Sequence, residues 1–290
     1  MKKLVRSCLF FLIPILADAQ SGSEIYLCKL SVNKNQLLIS SPKNFTNHKG
    51  YDSQPFFHPS QPLIYYASFN DSGRSDIKMY NYKTRITKNF ATTNEREYSP
   101  TVTPDGKHIS CIIQRDNGVQ DLGKYPITGG DPSIIINYMT VGYHSWIDDK
   151  SLLLFVLDDT THNSLHYYNL MTTEDVVIAY NPGRSLHKIP GENSVSFVEK
   201  KSADEWLIQK FDPNTRKITT ITKTLPNRED LTWLNNGVIL MSDGEKIFAY
   251  NTKAGKEWEP VKIHSNLPLK GISRLAVNKA NDKLAFVMAE

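Results

Sequence analysis

The chain has 290 residues, of which 40% are hydrophobic and 22% charged, and its formal net charge is +4. Without residues 1–19, which carry three basic and one acidic side chain, the net charge falls to +2 (4 − 3 + 1). A chain of this length can bury a substantial core, and so weak a charge bias gives no support for a nucleic-acid partner or an anionic membrane surface.

The first nineteen residues have the pattern of a cleaved secretory signal. Three basic residues within the first six precede an apolar run over 9–16, and Ala17-Asp18-Ala19 then offers small residues where a signal peptidase reads them. The apolar run is too short to span a bilayer as a lasting anchor, although an N-terminal anchor that is never cut is the alternative. We predict a signal peptide over 1–19, a periplasmic or secreted mature protein, and no membrane insertion after cleavage.

Three cysteines are present, and Cys8 leaves with the predicted signal. Cys28 and Cys111 both lie in segments of alternating apolar residues, so we expect two buried free thiols. A disulfide between them in an oxidising compartment is the alternative.

The rest of the chain repeats one short unit six times. The clearest copy covers 99–107, where Asp105-Gly106 between two apolar runs predicts a hairpin turn and 108–113 is the following strand. The copies start at residues 53, 99, 145, 187, 231 and 273, with spacings of 46, 46, 42, 44 and 42 residues. A period of about 40–50 residues filled with short strands is the signature of propeller blades.

Each of the first five copies continues with two more strands. The predicted third strands are 77–82, 122–127, 165–170, 206–211 and 246–250, and the predicted fourth strands are 86–90, 133–136, 175–180, 218–222 and 260–263. The sixth copy stops after its second strand, at Glu290, while 24–30 and 36–40 near the N-terminus resemble the missing third and fourth strands.

These observations predict an all-β fold, a six-bladed β-propeller of four-stranded antiparallel blades that forms a single domain over 20–290. The N-terminal strands complete the C-terminal blade, because an open ring would leave unpaired strand edges on both terminal blades. An all-β sandwich with coincidental spacing is the alternative. No segment shows a long helical period, which argues against α/β folds.

Residues 99–107, the apolar strand after them and Gln114-Arg115-Asp116-Asn117-Gly118 resemble the repeat of the TolB-type (WD40-like) β-propeller family. Residues 67–77 resemble the same family's link between second and third strands. The resemblance covers 23–290, and the first two blades match the repeat best. Propellers of this type occur in a periplasmic translocation protein, in serine peptidases and in polysaccharide lyases. TolB itself has an extra N-terminal α/β domain for which this chain has no room, so the resemblance does not imply its role.

Motifs for catalysis are sparse. The nucleophile motif Gly-x-Ser-x-Gly is missing, as is a Cys-x-x-Cys pair for zinc. We therefore assign no catalytic residue and expect no cofactor. His144 and His187 are weak metal-ligand candidates because they occupy comparable places in successive blades. Trp146 and Trp233 also match in register, and we expect them in the core.

The starts of the first strands converge near one mouth of a propeller's axial channel. The predicted binding residues at this mouth are Tyr51, Asp52, Tyr98, Tyr143, His144, His187 and Arg274. Polar residues that only hydrogen-bond locally are the alternative.

The sequence favours an exported, non-enzymatic binding scaffold that presents the mouth to a protein, peptide or glycan. A metal-assisted enzyme resembling polysaccharide lyases would need titratable groups with perturbed pKa values at the same mouth. A structural envelope component would instead carry its conspicuous surface on a blade's outer edge.

Overall fold

The computed structural model describes residues 22–33, 36–158, 162–255 and 257–290. The predicted signal peptide lies outside these ranges. No helix long and apolar enough to cross a membrane occurs in the part of the chain described.

The described chain consists of short strands, numbered here in chain order. Two strands come first: β1 (Ser23–Asn33) and β2 (Gln36–Asn44). Blade I contains β3 (Asp52–Phe57), β4 (Leu63–Phe69), β5 (Ser75–Asn81) and β6 (Ile86–Ala91). Blade II contains β7 (Arg96–Val102), β8 (His108–Gln114), β9 (Gln120–Pro126) and β10 (Ser133–Ile136). Blade III contains β11 (Val141–Trp146), β12 (Ser151–Val156), β13 (Ser164–Asn169) and β14 (Glu174–Tyr180).

The remaining strands build the second half of the ring. Blade IV contains β15 (Pro182–Lys188), β16 (Val195–Lys200), β17 (Trp206–Asp212) and β18 (Lys217–Lys223). Blade V contains β19 (Leu231–Trp233), β20 (Val238–Ser242), β21 (Ile247–Asn251) and β22 (Glu259–Pro260). The last strands are β23 (Lys262–His264), β24 (Ser273–Val277) and β25 (Lys283–Ala289).

Blade VI joins the two ends of the chain, as the sequence predicts. Its strand order is β24-β25-β1-β2, and β1 pairs antiparallel with β25 from Ser23 opposite Ala289 to Lys29 opposite Lys283. Beyond the last strand, the N–H of Glu290 donates to the carbonyl of Gly22 at 3.0 Å. The six-bladed propeller with its N-terminal seam is therefore confirmed.

The predicted strand over 260–263 is wrong in detail. The structure splits it into β22, which pairs with β21, and β23, which pairs in parallel with β2 as a fifth strand of blade VI. Val261 lies between them and is buried in the hydrophobic cluster that joins blades V and VI. The chain passes from blade V to blade VI at this buried residue, so β22 before it pairs with blade V and β23 after it pairs with blade VI.

The core lies between the blades. Six hydrophobic clusters fill the six gaps between neighbouring blades. Cys28 and Cys111 are buried in two of these clusters as free thiols, as predicted. Burial raises the pKa of the Cys28 thiol to about 12, so it remains protonated. Trp146 and Trp233 also pack into gaps between blades, which confirms their core assignment.

Candidate functional site at the channel mouth

Backbone bulges in the innermost strands aim side chains at the channel. Gln54, Ser99 and Arg274 adopt left-handed φ angles of 58°, 54° and 50°. Each lies where the pairing between the first and second strand of its blade shifts register. A bulge of this kind re-directs the side chain of the extra residue. None of the three is a glycine, so the surrounding strands must hold this costly conformation.

Six residues, one from each blade, surround the channel at this level. Tyr143, Arg184 and Asp230 occupy the corresponding places in blades III, IV and V. We call the set the channel ring: Gln54, Ser99, Tyr143, Arg184, Asp230 and Arg274. The ring is chemically uneven, because its charged members all come from blades IV to VI.

The channel ring lies between two connected spaces. An inner chamber of about 300 Å³ extends along the innermost strands, and a mouth of about 560 Å³ opens at the starts of those strands. Four ring residues line both spaces: Gln54, Tyr143, Arg184 and Arg274. The chamber wall is mainly apolar and the mouth wall mainly polar. A ligand that enters from the mouth meets the ring first.

Arg184 and Asp230 form the strongest ion pair in the ring. The Arg184 side chain donates from Nε to Oδ1 of Asp230 at 2.9 Å and from NH2 to Oδ2 at 2.6 Å. Burial lowers the pKa of Arg184, but the hydrogen bond and charge of Asp230 outweigh that effect and hold this pKa above its ordinary value. Burial also raises the pKa of Asp230, yet Arg184 and Arg274 lower it overall. Both groups therefore stay charged.

Arg274 is paired much more weakly. Its NH2 group donates to the Tyr143 hydroxyl at 3.1 Å, while its Nε lies 3.9 Å from Oδ1 of Asp230, beyond hydrogen-bond range. Its guanidinium also lies 5.2 Å from the centre of the Tyr143 ring. With only 15% of its side chain exposed, Arg274 is a largely buried cation, and its nearest carboxylate among the described residues, Asp230, is already engaged by Arg184.

The two histidines of the predicted site lie deeper, in the inner chamber. His144 Nε2 is 2.8 Å from the Ser110 hydroxyl, and His187 Nε2 is 2.9 Å from the Ser185 hydroxyl. Burial lowers the pKa of both imidazoles to about 4, so both are neutral at neutral pH. Their hydrogen bonds to separate serines agree with the local polar role that the sequence left open.

The structure brings six of the seven predicted residues to the channel. Tyr51, Tyr98, Tyr143 and Arg274 line the mouth, and the two histidines line the chamber. Asp52 lines neither space. Its side chain is 1% exposed and lies between blades I and VI, with Oδ2 3.8 Å from Nδ1 of His48.

Sequence reasoning missed four members of the ring: Gln54, Ser99, Arg184 and Asp230. Their signal was present as equivalent positions in the repeat, but at Gln54 and Ser99 the bulge that points the side chain inwards carries no glycine to mark it. The mouth also includes Gln114 and Gln120, which lie at the turn between β8 and β9.

The described residues contain no group of three or more His, Cys, Asp or Glu side chains placed to hold a metal ion. A hydrogen-bonded series of three side chains, Ser164, His166 and Asp175, does occur in the outer half of blade III. Its Ser164 Oγ to His166 Nε2 distance is 2.9 Å, and its His166 Nδ1 to Asp175 Oδ1 distance is 2.6 Å. The connectivity is that of a hydrolase triad, but Ser164 is only 8% exposed and the three side chains lie outside both channel spaces. We interpret it as a clamp between β13 and β14.

No family model matches the sequence, and comparison with curated proteins found no match. Solved structures do match the fold. A putative TolB from Agrobacterium tumefaciens is 12% identical with a TM-score of 0.70, and the match covers 93% of this chain and 99% of that one. The chain has a TolB-type propeller fold. TolB from Acinetobacter baumannii is 14% identical with a TM-score of 0.57, and the match covers 93% of this chain but only 65% of that longer one.

Two further matches come from other kinds of protein. An oligogalacturonate lyase in complex with manganese is 13% identical with a TM-score of 0.59, and the match covers 86% of this propeller and 80% of the lyase. A chain of the nidogen/laminin complex is 9% identical with a TM-score of 0.61, and the match covers 92% of this propeller and 98% of that chain. At such low identity the matches establish the fold alone.

Proposed function

We propose that this propeller is an exported, non-enzymatic binding scaffold that presents its channel mouth to a protein, peptide or glycan. The observation that carries the proposal is the mouth itself, a space of about 560 Å³ with a mainly polar wall. Tyrosine side chains enter it from blades I, II and III, and the weakly paired Arg274 stands at its base. Phenols and an arginine in a concave polar site are the groups that proteins commonly use to hold a partner.

Export is part of the proposal. It is supported by the basic start, short apolar run and small residues of 1–19. A mass measurement on the protein from the periplasm or the medium is expected to give a mature chain that begins at Gln20. A mature chain that retains 1–19 would contradict cleavage.

Photo-crosslinking in intact cells tests the binding role. A photoreactive amino acid in place of Gln120 stands in the mouth, and one in place of Lys217 stands on the exposed outer strand of blade IV. The scaffold reading predicts a discrete adduct from position 120 and none from position 217. Adducts from position 217 alone would instead support the structural envelope component, whose contacts lie on a blade's outer edge.

A metal-assisted enzyme is the second candidate, and the likeness to the lyase in complex with manganese favours it. His144 and His187 are the side chains that would have to bind the metal, yet each is hydrogen-bonded to its own serine. Elemental analysis of the purified mature protein beside a His144→Ala/His187→Ala variant separates the candidates. A stoichiometric transition metal that the variant loses would favour the enzyme over the scaffold.

A further inference from the structure

We propose that the channel ring binds the C-terminal carboxylate of a peptide whose last side chain is apolar. The inference rests on the proposed function, because it names a ligand for the same mouth. It follows from the charge of the ring, its available hydrogen-bond donors, and the character of the chamber beneath it.

The charge of this region is unbalanced. Asp230 is held by both donors of the Arg184 fork, and its neighbour Glu229 lies 2.9 Å from Nζ of Lys200 and 3.5 Å from Nε of Arg184. Among the described residues, three cations, with Arg274 as the third, therefore face two carboxylates. A largely buried cation that has to share its counter-ion with another arginine is incompletely neutralised, so an anionic ligand group next to Arg274 would be strongly favoured.

The donors at this point suit a carboxylate. A guanidinium carries five N–H donors, and the side-chain hydrogen bond described for Arg274 uses one of them, to Tyr143. Because the Tyr143 hydroxyl accepts that bond, its own proton is left to donate. The Ser99 hydroxyl, in the same ring, is buried without a hydrogen-bond partner among the described residues. Arg274 and Tyr143 can thus donate together to one carboxylate group.

The inner chamber supplies the second half of the recognition. Beyond the ring its wall includes Phe56, Val102, Leu186 and Leu275, and its volume is about 300 Å³. A cavity of about 150 Å³ can hold a benzene molecule, so this chamber has room for one large apolar side chain. A peptide whose carboxylate stopped at the ring would place its last side chain there and leave its preceding residues in the polar mouth.

The carboxylate of an acidic sugar could also bind Arg274, but the rest of the sugar would not suit the inner chamber. Its hydroxyl groups would enter a mainly apolar space and lose hydrogen bonds to water, which is unfavourable. A peptide main chain in the mouth would instead find amide partners in Gln114 and Gln120. The structure therefore favours a peptide end over a uronate.

A selection experiment on the mature protein tests the inference. The immobilised protein is offered a pool of hexapeptides, randomised at five positions and ending in leucine, phenylalanine or serine, each as a free acid and as a C-terminal amide. Mass spectrometry of the bound fraction is expected to show acids that end in leucine or phenylalanine. Burial of such a side chain contributes about 1.5–3 kcal/mol, so their serine counterparts should bind about 10- to 100-fold more weakly.

Variants of the ring locate the binding. Arg274→Gln should weaken binding of a selected free acid by about 10- to 100-fold, the range for a hydrogen bond to a charged group, and leave the matching amide unchanged. Gln54 holds the equivalent place at a φ of 58°, so glutamine suits this backbone. Tyr143→Phe is a second test that removes only a hydroxyl. Arg216→Gln, on the outer edge of blade IV, is the control and should leave the binding of both the free acid and the amide unchanged.

Several results would overturn the inference. These are equal enrichment of acids and amides, no enrichment of any peptide, and an Arg274→Gln variant that binds the acid as well as the parent protein. Binding of a galacturonate trimer that Arg274→Gln abolishes, without peptide binding, would replace the peptide end with an acidic glycan. Adducts from position 120 together with any of these results would leave the proposed function standing. Failure of both experiments would overturn both.

Discussion

Arg184 donates two parallel hydrogen bonds to the carboxylate of Asp230, with Nε 2.9 Å from Oδ1 and NH2 2.6 Å from Oδ2. The pair links blade IV to the neighbouring blade V at the wall of the channel. Asp230→Ala would leave Arg184 without this partner and remove the carboxylate nearest to Arg274. Breaking a buried ion pair from one side costs about 3–5 kcal/mol, and the partial exposure of Arg184 places this pair near the lower end. Chemical denaturation should therefore show a loss of about 3 kcal/mol.

A surface pair provides the matched control. Arg216 and Glu174 also join strands of neighbouring blades, at 2.8 Å, but 41% and 42% of their side chains are exposed. Removing such a pair by Glu174→Ala should cost about 1 kcal/mol or less. Equal losses in the two variants would contradict the importance assigned to the channel pair.

Two buried serines each accept a hydrogen bond from a tryptophan of the following blade, and they differ in the number of ring nitrogens that they contact. The Ser110 hydroxyl bonds both Trp146 Nε1, at 2.9 Å, and His144 Nε2, at 2.8 Å. The Ser196 hydroxyl bonds Trp233 Nε1 at 2.8 Å. Each buried polar group left without a partner costs about 1–3 kcal/mol. Ser110→Ala should thus lower the free energy of unfolding by more than Ser196→Ala, and the reverse order in denaturant titrations would contradict these contacts.

Asp52 should make the stability of the propeller depend on pH. Both of its carboxylate oxygens are buried without a hydrogen-bond partner of normal geometry among the described residues. Burial raises the pKa of Asp52 to about 6, an effect that Ser68 and His48 only partly offset and that the charge of Glu24 reinforces. Lys78 also lowers this pKa. A carboxyl whose pKa is higher in the folded state favours folding when it is protonated.

The stability contribution of Asp52 is therefore lost as pH rises from about 4, the unfolded pKa, to about 6. Asp52→Asn cannot ionise, so it should match the parent protein near pH 4 and exceed it at pH 7.5. Two pKa units correspond to about 3 kcal/mol, as an order of magnitude. Thermal melts of both proteins at the two pH values check this, and a variant less stable than the parent at pH 7.5 would contradict it.

The seam of blade VI should control the whole fold. Deleting residues 273–290 removes β24 and β25, and with them the partner of β1. Because both edges of the ring open together, we expect loss of the cooperative melting transition rather than fraying at one end. Deleting Glu290 alone removes one terminal hydrogen bond and should preserve that transition. A cooperative transition in the larger deletion would contradict closure by the termini.

The fold was readable from the sequence because each blade repeats the same alternation and turn chemistry. Asp105-Gly106 marks a turn whose glycine has a φ of 68°, which favours glycine. β23 was not readable. Its three residues pair with β2, more than two hundred positions earlier, and local pattern contains no information about such a partner.

The candidate site was readable only in part. Tyr143 and Arg274 followed from the convergence of strand starts, but the contact between them joins residues from blades III and VI. Asp52 shows the limit of that reasoning, since its place at a strand start is right while its side chain turns into the gap between two blades. Which way a residue faces near a bulge depends on register, and register is set by the partner strand.

Occupancy of the mouth in the living cell tests the central claim most directly. Cys28 and Cys111 are buried, so a single introduced thiol can be followed by its rate of maleimide labelling. Gln114→Cys reports on the mouth and Lys217→Cys on the outer edge of blade IV. If the mouth binds a partner, the thiol at position 114 will label more slowly in intact cells than in the purified protein, while position 217 is unaffected. Slower labelling at position 217 alone would contradict a binding role for the mouth.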